Sequence, residues 1–460
     1  MKYREEDDSM GVVKVPEYAY YGAQTQRAMD NFQISNLKFP DIFYRSLGII
    51  KKHAAKVNME LGLLEPELAE AIINASEELI EGIFTDQFVV DVFQTGSGTS
   101  TNMNANEIIA GRSNEILTGK RGGKSPVHPN DHVNKGQSSN DVIPSAIHIS
   151  ALLEIKENLL PAMNTLQAAF EEKSKEFKDV RKIARTHLQD AVPISLGQVF
   201  SGYAKQTEMN IERVLTLKPR LSELALGGTA VGTGVNTHHE FADKVISGIS
   251  KETGYLFKEA ENHFEAQAAK DTAVETSGVL KTFAVSLVKI ANDIRFLSSG
   301  PRCGLGEIII PDLQPGSSIM PGKVNPVIPE AVIQVAGQVI GNDSAIMFGG
   351  QAGNFELNVM MPLIAYNLLQ SIQILSSSSL NFAAKCIKGI LANKDRCESN
   401  LEKSLSMATA LVPEVGYDQA AAIAKEAYKT GRTIRETAKD NQLLANDLID
   451  ELLDKMIKGD

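Results

Sequence analysis

Apolar residues recur at three- and four-residue steps from Glu265 to Ser299, far longer than a helix that a small domain could enclose. Leu280, Ala284, Leu287, Ala291, Ile294 and Leu297 fall on one stripe. Val279, Phe283, Val288 and Ile290 widen it, the pattern of a helix buried on more than one side. A helix of ~35 residues is ~50 Å long at 1.5 Å per residue and needs partners along its whole length. The same periodicity runs from Val142 to Phe177, Pro193 to Leu226, Pro326 to Phe348 and Glu356 to Ile387. The economical arrangement is an elongated helical bundle joined to copies of itself in a symmetric oligomer. Pro161 predicts a kink in the first of these helices rather than a stop.

Around this centre the pattern changes. The N-terminal part is mixed: Val12 to Val15 could be strand, and Leu63 to Ile83 reads as an amphipathic helix. From Leu391 onward the helices are shorter, with Gly416 and Gly431 as breakers. The expectation is a mainly-α chain in three domains: a mixed, mostly helical 1–138, a long-helix bundle 139–390, and a small helical 391–460.

Charge and composition exclude several functions. A net charge of −11 leaves no basic footprint for nucleic acid. An anionic substrate would have to be held by local cations or helix N-termini against the overall field. Three cysteines, Cys303, Cys386 and Cys397, are too few and too scattered for a disulfide framework or a zinc site. The histidines are not assigned a metal; His53 and His148 lie in helical runs, and His238-His239 is expected to begin a helix. Neither a dinucleotide fingerprint nor a P-loop occurs. The N-terminus is acidic without an apolar leader, and no apolar run approaches the ~20 residues of a membrane span, so a cytoplasmic protein is expected.

Four segments concentrate small hydroxyls, amides and a few charges, and are read as loops between helices: Ser97-Gly98-Thr99, Ser138-Ser139-Asn140, Thr186-His187 and Gly316 to Asn325. Short converging donors are what a carboxylate ligand requires. Each segment taken alone reads more readily as a helix cap or turn. Between Gly300 and Glu330 stand five glycines and six prolines, a long loop that is either a binding loop carrying Lys323 or a surface linker.

The run Gly316-Ser317-Ser318-Ile319-Met320-Pro321-Gly322-Lys323-Val324-Asn325-Pro326 resembles the signature of the aspartase/fumarase superfamily. Gly22 to Arg27, Val127 to Asp131, Gln137 to Asp141, Leu226 to Gly234, His263 to Ala266 and Gly353 to Val359 resemble the class II fumarase family in particular. Tyr21, where fumarases commonly have Trp, and Val327 to Glu330 lean toward aspartase. The resemblance implies an aspartase/fumarase-like fold, with a twenty-helix core in a homotetramer and each active site shared among three subunits. It implies reversible, stereospecific anti addition of water to fumarate, giving L-malate through an aci-carboxylate, as in the tricarboxylic acid cycle. The alternative is an aspartate ammonia-lyase, which shares fumarate as product.

The same resemblance assigns roles. Ser317 would be the catalytic serine and His187 its partner, paired with Glu330. Ser97, Gly98, Thr99, Ser138, Ser139, Asn140, Thr186, Ser318, Lys323, Val324 and Asn325 would hold the dicarboxylate. His128, Pro129, Asn130 and Asp131 would form a second, non-catalytic dicarboxylate site. No metal or organic cofactor is expected, because the substrate carboxylate itself takes up the charge.

Overall fold

The computed structural model describes residues 2–458, so the outermost ends of the first and last expected regions fall outside it. The chain is mostly helical and divides into two compact units. The first comprises residues up to 161, 212–284 and 337–376; the second comprises 162–211, 285–336 and 377–460. Each of the five cuts falls inside a helix.

In the first unit, Tyr3–Asp8 and Gly11–Pro16 form an antiparallel hairpin, which includes the expected strand at Val12 to Val15. Helices Asp41–Glu60 and Pro66–Ile80 pack on each other, and Ser139–Glu154 packs on the first of them. Leu47, Ile50, Ile72, Leu79, Ile143 and Ile147 are almost fully buried. Each such side chain contributes about 1.5–3 kcal/mol relative to exposure.

The long periodic segments are helical, with boundaries set by local chemistry. Glu265 to Ser299 becomes a short helix, His263–Ala268, and a longer one, Asp271–Leu297. Asn262 caps the short helix by accepting from the Glu265 amide. The Lys270 ammonium ends it by taking the Ala266, Gln267 and Ala269 carbonyls. Val142 to Phe177 splits into Ser139–Glu154, a π-helical turn at Ile155–Leu159, and Leu160–Glu176. The π turn ends two residues before Pro161, whose missing N–H removes the donor for the carbonyl four residues earlier, inside that turn. Pro326 to Phe348 is the helix Val327–Gly350. In the Glu356 to Ile387 stretch the helix is Met361–Lys385, and Leu357–Asn358 instead pairs with Gly353–Asn354.

The segment expected to be helical from Pro193 differs at its start. Gln189–Ser195 is a β-strand paired with Arg181–Thr186, and the helix begins only at Leu196. His238-His239 likewise precedes its helix, which starts at Phe241. In the second unit the C-terminal helices enclose a core of Met407, Leu411, Ile423, Ile434, Ile449 and Leu453. Gly431, at φ 71°, ends the helix Tyr417–Thr430. Among the described residues, no helix is long and apolar enough to cross a membrane.

Candidate active site

Two helix N-termini meet in the first unit. Helix Thr99–Thr118 starts from Gly98 in the left-handed region, with no acidic residue in its first turn. Thr99, read from sequence as loop, therefore lies in the helix, as does Asn102. The Ser97 and Thr99 hydroxyls are 2.7 Å apart. A Cβ on Gly96 would stand 1.9 Å from the Val359 carbonyl oxygen, so glycine alone fits there. This close approach seats the Gln94–Gly98 turn on the Gly353–Val359 segment, and the Met361 amide donates to the Gly96 carbonyl.

Helix Ser139–Glu154 starts from Ser138 in a capping box. The Ser138 hydroxyl accepts from the Asn140 amide, and the Ser138 amide donates to Asp141. Asp141 is fully buried, and its other oxygen accepts from the Gly227 and Thr229 amides at 3.0 Å. Burial pushes its carboxyl up to about 6, against the pull of those amides. Asn140 reaches the same loop by donating to the Ala230 carbonyl. Asn102 ties the two helix starts together by donating to the Ser139 hydroxyl at 3.1 Å. The start of Thr99–Thr118, with Ser97, Gly98 and Thr99, is thus tied to the start of Ser139–Glu154, with Ser138, Ser139 and Asn140, and a helix dipole favours an anion at each.

The second unit carries the remaining residues on turns. Arg181–Thr186 and Gln189–Ser195 are joined by His187-Leu188, both at positive φ (56° and 62°), a two-residue turn of the kind that fits hairpin twist. Thr186 and His187 are exposed at its tip. Below the tip lies a buried ion cluster. Glu307 is 0% exposed, accepts both ends of the Arg185 guanidinium (3.1 and 2.7 Å), and faces Lys182 at 3.1 Å and Asn400 at 3.0 Å. These cations and donors hold the Glu307 carboxyl below the ordinary glutamate range despite burial.

The loop Gly316 to Asn325 is closed at its base. The Gly316 amide donates to the Lys323 carbonyl at 2.7 Å, and Asn325 donates its side chain to the Gly316 carbonyl at 2.6 Å. A Cβ on Gly316 would meet the Lys323 carbonyl oxygen at 2.6 Å. Within the loop, the Ser317 hydroxyl oxygen accepts the amides of Ile319 (3.2 Å) and Met320 (2.9 Å). Ser317 and Lys323 border one cavity of about 390 Å³. Lys323, Val324, Asn325 and Glu330 border another of about 620 Å³ together with Arg295. Ser318 is exposed on the same loop.

Within a single chain, His187 and Glu330 are not hydrogen-bonded to each other. His128 opens a π-helical turn, Pro129–Val133, and its Nδ1 accepts the Asn130 and Asp131 amides while its own amide donates to His132 Nδ1. Sequence reasoning missed Asn102, Glu307 and the anchoring role of Asp141. Their contacts lie 37, 122 and 86 positions away along the chain, and nothing in the local pattern announces them. Elsewhere, His238, His239 and Glu240 bring ligand atoms within 4.8 Å of one another on the surface, a grouping the sequence reading passed over. Cys386 and Cys397 are buried, whereas Cys303 is exposed.

Comparison with known proteins places this architecture. A family model described as "Lyase" matches residues 11–341, and one described as "Fumarase C C-terminus" matches 407–457. A class II fumarate hydratase of Nitrosomonas europaea is 53% identical over 95% of each chain. The mitochondrial fumarate hydratase 1 of Arabidopsis thaliana is 52% identical over 99% of this chain and 93% of its own. The crystal structure of a class II fumarase from Schistosoma mansoni superposes with a TM-score of 0.95 at 40% identity, covering 99% of this chain and 98% of that one. With near-complete coverage at this identity, and with the mostly helical fold already described, the chain belongs to the class II fumarase family.

Proposed function

We propose that this chain catalyses the reversible anti hydration of fumarate to L-malate. The observation that carries the reading is the Ser317 hydroxyl, whose oxygen accepts two backbone amides beside Lys323 in a loop clamped at its base. Malate dehydration begins with removal of a proton from carbon next to a carboxylate, and serine is a poor base at its ordinary pKa. Two amides donating to one oxygen, with the Lys323 cation bordering the same cavity, favour its alkoxide once water is excluded. Lys323 and Asn325 then spread the charge of the aci-carboxylate intermediate. Ser97, Thr99, Ser138, Ser139, Asn140 and Thr186 orient the diacid, with Gly98, Ser318 and Val324 shaping its surroundings. His187, directly or through water, protonates the departing hydroxyl, and Glu330 sets its tautomer. The positive φ of Leu188 beside His187, unusual for leucine, is the kind of backbone cost kept where a turn serves chemistry.

The bond-breaking step needs no metal or organic cofactor, because the carboxylate is itself the electron sink. We further propose a cytoplasmic homotetramer in which neighbouring copies supply the His187 tip and the Glu330 side to one another's sites, serving the tricarboxylic acid cycle. The three sequence regions 1–138, 139–390 and 391–460 would be its domains. His128 to Asp131 would offer a second dicarboxylate site through the side chains of its turn. The test is loss of fumarate absorbance with L-malate identified as product. Malate without ammonium supports the hydratase; aspartate formed only with ammonium overturns it in favour of the ammonia-lyase, which the names of the relatives do not favour.

A further inference from the structure

Lys51 lies inside helix Asp41–Glu60 with 0% exposure and no carboxylate at salt-bridge distance. Its ammonium donates to the side-chain oxygens of Asn134 (3.0 Å) and Gln137 (2.9 Å). Asn134 Oδ1 also accepts the amides of Asn102 (3.2 Å) and Asn106 (3.1 Å), so three donors converge on one oxygen. The convergence fixes which way both amides point, and it leaves the buried Oδ1 atoms of Asn102 and Asn106 without a partner among the described residues. Asn102 Nδ2 in turn donates to the Ser139 hydroxyl. Gln137 immediately precedes the Ser138 cap and donates back to the Val133 and Lys135 carbonyls. An ammonium is costly to bury without a counter-ion, and a merely structural core would hold an apolar side chain there at less cost.

We propose that Lys51 is a positioning residue for the substrate cradle: it locks Asn134 and Gln137, and through Asn102 it aims the Ser139 hydroxyl at the diacid. The lysine touches no substrate and acts through three hydrogen bonds, Lys51–Asn134, Asn134–Asn102 and Asn102–Ser139, ending at the hydroxyl that meets it. The proposal rests on the reading of Ser139 as a fumarate donor. Burial pulls the Lys51 ammonium down to about 7, opposed by the field of Asp141 on the neighbouring helix, so the lock is weakest in alkaline solution.

The test compares full-length wild type, Lys51→Met, Asn102→Leu, Asn106→Leu and Ser139→Ala, each checked for native size and melting. In Lys51→Met and Asn102→Leu, KM for fumarate is expected to rise about tenfold with kcat within about threefold, the effect of misdirecting one hydrogen bond to a charged ligand. Asn106→Leu, which shares Asn134 but does not reach Ser139, is expected to keep KM within about twofold. In a Ser139→Ala background, the effect of Lys51→Met should vanish, because the two act through one hydroxyl. If Lys51→Met does not fold, Asn102→Leu and its cycle with Ser139→Ala carry the same test. Unchanged KM in Asn102→Leu, or fully additive effects with Ser139→Ala, overturns the proposal and leaves the hydratase reading intact. A wild-type chain that does not hydrate fumarate overturns that reading and this proposal together.

Discussion

Ser97 and Ser139 stand at helix starts, more than nine-tenths buried and backed by further buried polar side chains. Ser317, Lys323 and His187, by contrast, stand on turns open to solvent. The first group is held by groups behind it: Asn102 under Ser139, Asp141 across to Gly227 and Thr229. The second group sits on turns closed at the base, by the Gly316–Lys323 and Asn325–Gly316 bonds in one and by the Glu307 cluster beneath the hairpin in the other. Orientation of a diacid needs donors that do not move when it arrives, so they sit on helices with full support. Proton transfer needs groups that meet the substrate after it is bound, and a turn can present them without burying their charges first.

If that division is right, damage to the turns should fall on kcat and damage to the cradle on KM. Ser317→Ala should show the largest effect, about 10⁴-fold in kcat with substrate affinity nearly kept; near-normal turnover in a steady-state assay would remove Ser317 from the base role. His187→Asn is expected to lower kcat by about 10²–10⁴, and a change confined to KM would move His187 into the cradle instead. Glu307→Gln leaves Lys182 and Arg185 facing a neutral group in a buried site. A loss of about 3–5 kcal/mol in denaturant unfolding is expected, along with a lower kcat as the hairpin tip loses its base. Thr99→Val should raise KM about 10- to 100-fold, as expected from about 1.5–3 kcal/mol for a hydrogen bond to a charged ligand, with kcat little changed.

The most gradual effect is a pH dependence. Because burial lowers the Lys51 pKa to about 7, the unfolded chain binds a proton that the folded chain has lost between about pH 7 and the ordinary lysine range. Stability therefore rises with pH in that window, by at most about 1.4 kcal/mol per unit. Lys51→Met should flatten the rise in melting curves taken from pH 7 to 10. An unchanged slope would mean that the lysine is not buried as a partly neutral group.

Much of this was legible in the chain itself. The stripe from Leu280 to Leu297 marked a long helix, and the Gly316 to Pro326 run marked the family, because each is written in consecutive residues. The hairpin carrying His187 was not legible. Turns of its type favour Asn-Gly, whereas His-Leu carries no such signal, and Pro193 to Ser195 extends the spacing of the following helix. Lys51 reads as an ordinary helix residue, and only its surroundings show that its head group is enclosed.

Helical period, breaker residues and short motifs are properties of neighbours along the chain, and these the amino-acid order determined alone: a mainly-α molecule with long buried helices and a glycine-bounded serine loop. Which amide lies beneath Ser139, which carboxylate anchors the His187 hairpin and which oxygen receives the Lys51 ammonium were decided only in three dimensions. Each of those contacts joins residues tens of positions or more apart, and its energy depends on burial that no local stretch can specify.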